Sequence, residues 1–255
     1  MQTSSIYTNI QQARAAGRKL FAVLIDPDKV ALDQLSGLAV KAAACHVDYF
    51  FIGGSLITED RLEACLLSLK RHCNIPTVLF PGSILQINGK ADGILLLSLL
   101  SGRNPDLLIG QHVVAAPYLR ASGLEIMSTA YLLIDGGRPT TATYMSHTLP
   151  IPADKPDITA STAMAGEMLG FKLVYLDAGS GAQNRVSAAT IRAVREAVEL
   201  PIIVGGGIRT PDAARQSLEA GADLIVIGSA IEKEPGLMES FAGVIHSQQI
   251  KRNSV

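Results

Sequence analysis

A chain of 255 residues, 48% hydrophobic with a mean hydropathy of +0.28, can bury one large core, and a formal charge of −1 excludes a general polyanion binder such as a nucleic-acid protein. Aromatics are only 5% and tryptophan is absent, so the core rests on Val, Ile, Leu and Ala, the composition of parallel strands covered on both faces. Cys45, Cys65 and Cys73 lack CxxC spacing, no apolar leader precedes Arg14, and no run spans a bilayer; the expectation is a reduced, cytoplasmic protein without disulfides or structural zinc.

In chain order, short apolar runs alternate with helical patterns. The first run, Leu20–Asp26, leads through Pro27-Asp28-Lys29 into a helical pattern over residues 29–46 carrying Val30, Leu35, Leu38 and Val40. The second, Tyr49–Gly54, precedes a pattern over 59–73 with Leu62, Leu66 and Leu69 on one stripe. Only ten residues, Ser83 to Asp92, separate the third run, Thr77–Gly82, from the fourth, Gly93–Leu99. That is too short for a regular crossover helix, so a missing or replaced helix is expected there.

The fifth run, Glu125–Asp135, opens a long Gly/Pro/Thr-rich stretch over 136–156, the kind of loop that serves as a lid or binding element. After the sixth run, Leu173–Gly179, Ile191, Val194 and Val198 repeat at helical spacing within Ser187–Leu200. The seventh run, Pro201–Gly207, is followed by Thr210-Pro211, an N-cap and a first-turn proline, and Leu224–Ser229 is the eighth. Eight such units without a linker or composition shift predict an α/β protein: one (β/α)8 TIM-barrel domain over residues 1–255, modified after its third strand. An open doubly wound sheet is the competitor, but it needs a topological switch point that eight evenly spaced units do not supply.

Three glycine-bearing strand ends fall late in the chain: Asp177-Ala178-Gly179-Ser180-Gly181, Gly205-Gly206-Gly207-Ile208 and Gly228-Ser229. In a barrel these ends are neighbours, and glycine lets backbone N–H groups approach an anion closely. One glycine pair alone would more often serve a tight turn; three converging sets, with Ser180 and Ser229 as donors, favour a phosphate. Across the mouth, Asp26 and Ser55 end adjacent strands, a carboxylate and a hydroxyl that suit Mg²⁺. Asp26 could equally cap the next helix. Asp177 would face a phosphorylated ligand and is the candidate general base. Asp135 reads as shaping the long loop and His147 as a surface residue.

At these residues the sequence resembles the geranylgeranylglyceryl phosphate synthase family, the PcrB-like prenyltransferases. The resemblance is carried by Phe21–Lys29, Phe51–Ser55, Phe80–Gly82, Tyr175–Ala182, Val204–Arg209 and Ala222–Ser229, and runs from about residue 10 to 245. It implies a TIM barrel lacking one helix after its third strand. It also implies prenyl transfer from geranylgeranyl diphosphate, or a similar donor, to the C3 hydroxyl of sn-glycerol 1-phosphate, with release of diphosphate. Carried over, Asp26 and Ser55 match the Mg²⁺ positions. Tyr175, Leu176, Asp177, Ala178, Gly179, Ser180, Gly181, Gly206, Gly207, Gly228 and Ser229 match the acceptor site, with Asp177 catalytic. Tyr131, Leu132 and Leu99 are candidate walls for the isoprenoid, although core packing would serve each as well. A homo-oligomer, dimer or hexamer, and peripheral membrane contact through the lipid product complete the expectation.

The chain departs from the family pattern at two positions: Asp177 stands where Glu is usual, and Ser229 where Asn is. Leu24 marks the branch with leucine, not lysine, near the phosphate. Losing a methylene withdraws a carboxylate by about 1.5 Å, and a displacement of about 1 Å can cost two orders of magnitude in rate. Another phosphate-binding barrel enzyme, an isomerase or lyase, and a non-catalytic phosphate-ligand binder are the alternatives.

Overall fold

Every apolar run forms a strand in the computed structural model, which describes residues 5–59 and 61–248. The strands are β1 (Leu20–Ile25), β2 (Tyr49–Ile52), β3 (Thr77–Leu79), β4 (Gly93–Leu99), β5 (Glu125–Leu133), β6 (Leu173–Asp177), β7 (Ile202–Gly205) and β8 (Leu224–Ile227). They pair in parallel in chain order, and β8 returns to β1, with Leu20 opposite Leu224, so the sheet closes into a barrel. Because every strand runs the same way, the glycine and acid motifs that follow the strands all collect at one mouth.

Period-two alternation sorts the strand side chains into two layers. Tyr131, Tyr175 and Phe51 fill the barrel interior, whereas Leu132, Leu176 and Phe50 point outward against the helices. The helices are α1 (Ile6–Ala15), α2 (Leu35–Ala44), α3 (Leu62–His72), α4 (Gln111–Ser122), α5 (Thr141–Ser146), α6 (Pro156–Met168), α7 (Ala188–Ala197), α8 (Pro211–Glu219), α9 (Ser229–Lys233) and α10 (Leu237–Ser247). The connection between β3 and β4 holds only a 3₁₀ turn, Ile84–Gln86, as the ten-residue spacing requires.

The helix expected over 29–46 starts later, with a 3₁₀ turn at Leu32–Gln34 followed by α2. Its buried stripe is Leu35, Ala39 and Ala42, and Val40 faces solvent at 59% exposure. The N-cap of α2 is Gln34, so Asp26 does not cap that helix. The 136–156 stretch is also more ordered than a loop. Thr140 and Thr143 form a reciprocal capping box for α5, and Ile134 bridges to Ile151.

Helix α1 seals the barrel floor, placing Ile6, Ile10 and Ala13 in the interior cluster. Glu125 at the start of β5 anchors it: Ser5 Oγ donates to its carboxylate at 2.6 Å, Ile6 N at 2.6 Å and Tyr7 N at 2.9 Å. A carboxylate satisfying two first-turn amides acts as a charged N-cap. Glu125→Ala is expected to cost about 1–3 kcal/mol. The Tm read by circular dichroism should then fall about 2–4 °C for each kcal/mol.

Candidate active site

One half of the site is built where β6 and β7 end side by side, with Asp177 paired to Gly205. The Asp177 side chain is buried at 6% exposure, yet both oxygens are satisfied. Tyr131 OH donates to Oδ2 at 2.6 Å, and the Gly179 N–H donates to Oδ1 at 2.7 Å. Burial pushes the Asp177 carboxyl above the usual carboxylate range, against the pull of those two hydrogen bonds. Burial, reinforced by the Asp177 charge, drives the Tyr131 and Tyr175 phenols well up, so both remain protonated donors. Phe80 stacks on Tyr175 with ring centroids 4.9 Å apart and holds it upright.

The glycines around this carboxylate are needed for space. Gly206 has φ +77°, and a Cβ there would lie 2.5 Å from Asp177 Oδ1 and 2.6 Å from Gly179 N. Gly179, at φ +87°, abuts Thr140, whose Oγ1 a Cβ would approach to 2.6 Å. Arg138 Nε donates to Gly181 O at 2.8 Å and Arg209 Nη1 to Gln183 O at 2.9 Å. Two arginines thus pin the loop after β6. Leu24 packs beside Gly228, where a Cβ would meet its side chain at 3.4 Å, so β1 offers this side an apolar surface and no cation.

On the opposite side, Asp26 lies just beyond β1 with its side chain 13% exposed. Gly54 leaves it room, since a Cβ there would sit 3.2–3.3 Å from the carboxylate atoms. Ser55 comes next in the same loop. Gln86, in the turn that replaces the helix, fastens that loop: its Nε2 donates to Gly54 O at 2.9 Å, and Gly82 N donates to its Oε1 at 3.2 Å. Asp26 Oδ1 also accepts from Asp28 N at 3.2 Å, closing the local turn. A carboxylate and a hydroxyl, both hard oxygen donors beside open cleft, fit Mg²⁺, which keeps most of its shell for water and phosphate oxygens. Among the described residues no three His, Cys, Asp or Glu side chains gather as a metal cluster. A cation here would therefore depend on the substrate for ligands.

One cleft of about 1020 Å³ joins the two halves and continues sideways. Where a helix after β3 would lie, outward-facing Ile94 and Leu96 of β4 meet Ile84, Ile87, Ala115 and Leu119 around an apolar channel. The channel is a consequence of the short connection, which lays only a 3₁₀ turn and no full helix over that stretch of barrel wall. Polar groups on this stretch include Gln111 and His112, and His112 Nε2 lies 3.0 Å from the buried Ser98 Oγ; burial lowers the His112 pKa, keeping the ring neutral. Helix α5 roofs the mouth, with Ala142 packed on the interior cluster and Thr141 and Met145 facing the cleft.

The cleft gathers Asp26, Ser55, Tyr175, Asp177, Ser180, Gly181, Gly206, Gly207, Gly228 and Ser229, with Leu99 and Tyr131 as walls. Four expected residues, Leu132, Leu176, Ala178 and Gly179, fall elsewhere. Leu176, Ala178 and Leu132 point outward into the helix-packed layer, because each neighbours on its strand a residue that points in. Gly179 contributes its N–H to Asp177 and lies beneath Thr140. Asp135 accepts from Gly137 N at 2.8 Å and turns the loop, and His147 is the left-handed C-cap of α5, exposed to solvent. Sequence reasoning missed Gln86, Arg138, His112 and the cleft-facing role of Lys29. Lys29 stands in a motif already singled out; Gln86 carried no local signal.

A family model described as the PcrB family matches residues 12–245 of the chain. The geranylgeranylglyceryl phosphate synthase of Chitinophaga pinensis is 53% identical over 244 residues, covering 96% of this chain and 97% of that protein. The protein of the same name from Korarchaeum cryptofilum is 43% identical over 223 residues, covering 88% and 91%. Among solved structures, (S)-3-O-geranylgeranylglyceryl phosphate synthase from Thermoplasma acidophilum, in complex with its substrate sn-glycerol-1-phosphate, superimposes with a TM-score of 0.90. That match has 31% identity and covers 96% of this chain and 100% of the other.

Proposed function

We infer function from one premise: the chain belongs to the PcrB family. The protein is a prenyltransferase that joins a prenyl diphosphate, geranylgeranyl diphosphate or a similar donor, to the C3 hydroxyl of sn-glycerol 1-phosphate and releases diphosphate. The observation that carries this reading is the shape of the cleft, which runs from a buried carboxylate ringed by glycine turns into an apolar channel. A phosphorylated polar acceptor suits the first end and an isoprenoid the second. Relatives of this chain carry the name of that synthase, and the superimposed Thermoplasma structure is a complex with that acceptor.

In this reading the turns at Ser180–Gly181, Gly206–Gly207 and Gly228–Ser229 bind the acceptor phosphate and orient its hydroxyl along the cleft. Asp177 accepts the hydroxyl proton as the oxygen forms its bond to the allylic carbon and the carbon–diphosphate bond breaks. Tyr131 and the Gly179 amide hold that carboxylate in register. Ile94, Leu96 and the facing side of α4 exclude water from the donor's tail. Mg²⁺, held by Asp26 and Ser55, would when bound neutralise charge on the leaving diphosphate.

The test is to incubate the protein with Mg²⁺, labelled sn-glycerol 1-phosphate and prenyl diphosphates of several lengths, then extract for lipid. A labelled lipid product is expected, and its absence with every donor would overturn the reading. Chelation of divalent ions is expected to lower the rate at least about tenfold, with Mg²⁺ restoring it. A rate indifferent to chelator would remove the metal from the mechanism.

Self-association is part of the same reading. Val113, Val114 and Tyr118 on the outer face of α4 are more than half exposed and offer an apolar contact surface for a dimer or hexamer. Sedimentation at several concentrations tests this. Among the described residues no helix is long and apolar enough to cross a membrane. We place the protein in the cytoplasm, touching the bilayer peripherally when it delivers its lipid product.

A further inference from the structure

Lys29 Nζ lies 2.6 Å from Asp26 Oδ2, on the carboxylate proposed above to hold the metal. The pair is unequal, with Asp26 13% exposed and Lys29 54% exposed at the edge of open cleft. Asp28 is not an alternative seat for the lysine. Its Oδ2 accepts from Thr58 N at 2.6 Å and from Thr58 Oγ1 at 2.9 Å, and its Oδ1 accepts from Glu59 N at 3.3 Å. Glu232 of α9 faces the same cleft and acts electrostatically on Lys29, keeping a positive charge favourable at this corner. The Asp26 carboxylate therefore has two claimants, an ammonium on its own loop and a divalent cation.

We infer that Lys29 is an exchangeable counter-ion, which neutralises Asp26 in the metal-free protein and binds the diphosphate once a divalent cation takes that carboxylate. The inference rests on the metal site at Asp26 that belongs to the proposed function. A largely buried carboxylate left without a cation is costly, so something must hold it before the metal arrives. A released ammonium beside a divalent cation is repelled unless an anion receives it, and the diphosphate, carrying more charge than the single carboxylate of Glu232, is the stronger one. The long flexible stem of lysine allows the move. Metal and diphosphate should consequently bind with positive coupling that passes through Lys29.

The test uses Mn²⁺, detected by paramagnetic resonance, as the metal and inorganic diphosphate as the anion, with Asp26→Asn, Lys29→Met and Lys29→Arg beside the wild type. In Lys29→Met, Mn²⁺ alone is expected to bind about two- to fivefold tighter, because its competitor is gone. Diphosphate at saturating Mn²⁺ should bind about ten- to a hundredfold weaker. Lys29→Arg, which keeps the charge, should stay near wild type in both. Opposite signs separate this role from loop support, whose loss would weaken both ligands, and circular dichroism checks that each variant folds. If Mn²⁺ binds the wild type but not Asp26→Asn, while Lys29→Met changes neither affinity or weakens both, the counter-ion role is overturned and the metal site stands. If Mn²⁺ fails to bind the wild type, or binds Asp26→Asn equally, the metal site at Asp26 falls and the counter-ion role with it.

Discussion

Asp177→Asn is expected to lower kcat by about 10²- to 10⁴-fold, the usual contribution of a positioned general base, while making the protein more resistant to heat at neutral pH. Both effects come from the same burial. The amide keeps the shape of the carboxylate, its oxygen can still accept from the Gly179 N–H, and the Tyr131 hydroxyl can turn to accept from the new NH₂. The amide cannot take a proton from an attacking hydroxyl.

The stability effect follows from the raised folded-state pKa, caused by burial. A carboxyl whose pKa is higher folded than unfolded contributes stability that is full below the unfolded value, about 3.9, and lost as pH rises through the folded value. The Tm advantage of Asp177→Asn should therefore be absent in acid, grow from about pH 4 upward, and level off once the folded carboxyl is ionised. The wild-type rate should rise over that same interval, as the base loses its proton. Thermal melts and pH–rate profiles of the two proteins check this. A variant that keeps its activity would remove Asp177 from the chemistry, and an advantage that shrinks with rising pH would contradict the burial argument.

Gly206→Ala is expected to lower kcat/KM for the acceptor by about two orders of magnitude and leave donor binding largely intact. The left-handed backbone alone costs about 1–2 kcal/mol with any side chain other than glycine. The methyl would also stand 2.5 Å from Asp177 Oδ1, 2.6 Å from Gly179 N and 2.8 Å from Ala178 N. Two of those atoms are backbone, so the ends of β6 and β7 must part, moving together the proposed base and the turn proposed to bind phosphate. Gly236→Ala makes the comparison, because a Cβ there meets nothing within 4 Å. It should stay within about 0.5 kcal/mol of wild-type stability. Steady-state kinetics with each substrate varied, beside thermal melts, distinguish loss of the acceptor site from general unfolding.

Much of the site was legible because a parallel barrel brings strand ends to one mouth. Asp26, Ser55, Asp177, Gly206 and Ser229 needed only the recognition of eight runs to be placed together. The misplacement of Leu132, Leu176 and Ala178 came from treating a contiguous motif as a contiguous surface. Their alternation with Tyr131, Tyr175 and Asp177 was present in the sequence and would have corrected it. Val40 misled in another way: an exposed valine on a helix has no mark distinguishing it from a core one until the helix start is known.

Gln86 and α5 were not legible. The value of Gln86 lies in Gly54 O, 32 residues away, and the place of α5 over the mouth depends on its packing against the interior cluster. By itself the sequence determined the eight strands, their order, the shortened third connection and the chemistry available at each strand end. Those are encoded in local periodicity and turn residues. Only the tertiary structure decided that the short connection opens an apolar channel, that Lys29 sits on Asp26, and that Tyr131 and Asp177, 46 residues apart, meet at 2.6 Å. Such contacts are set by barrel closure and side-chain parity, which no local stretch of chain carries.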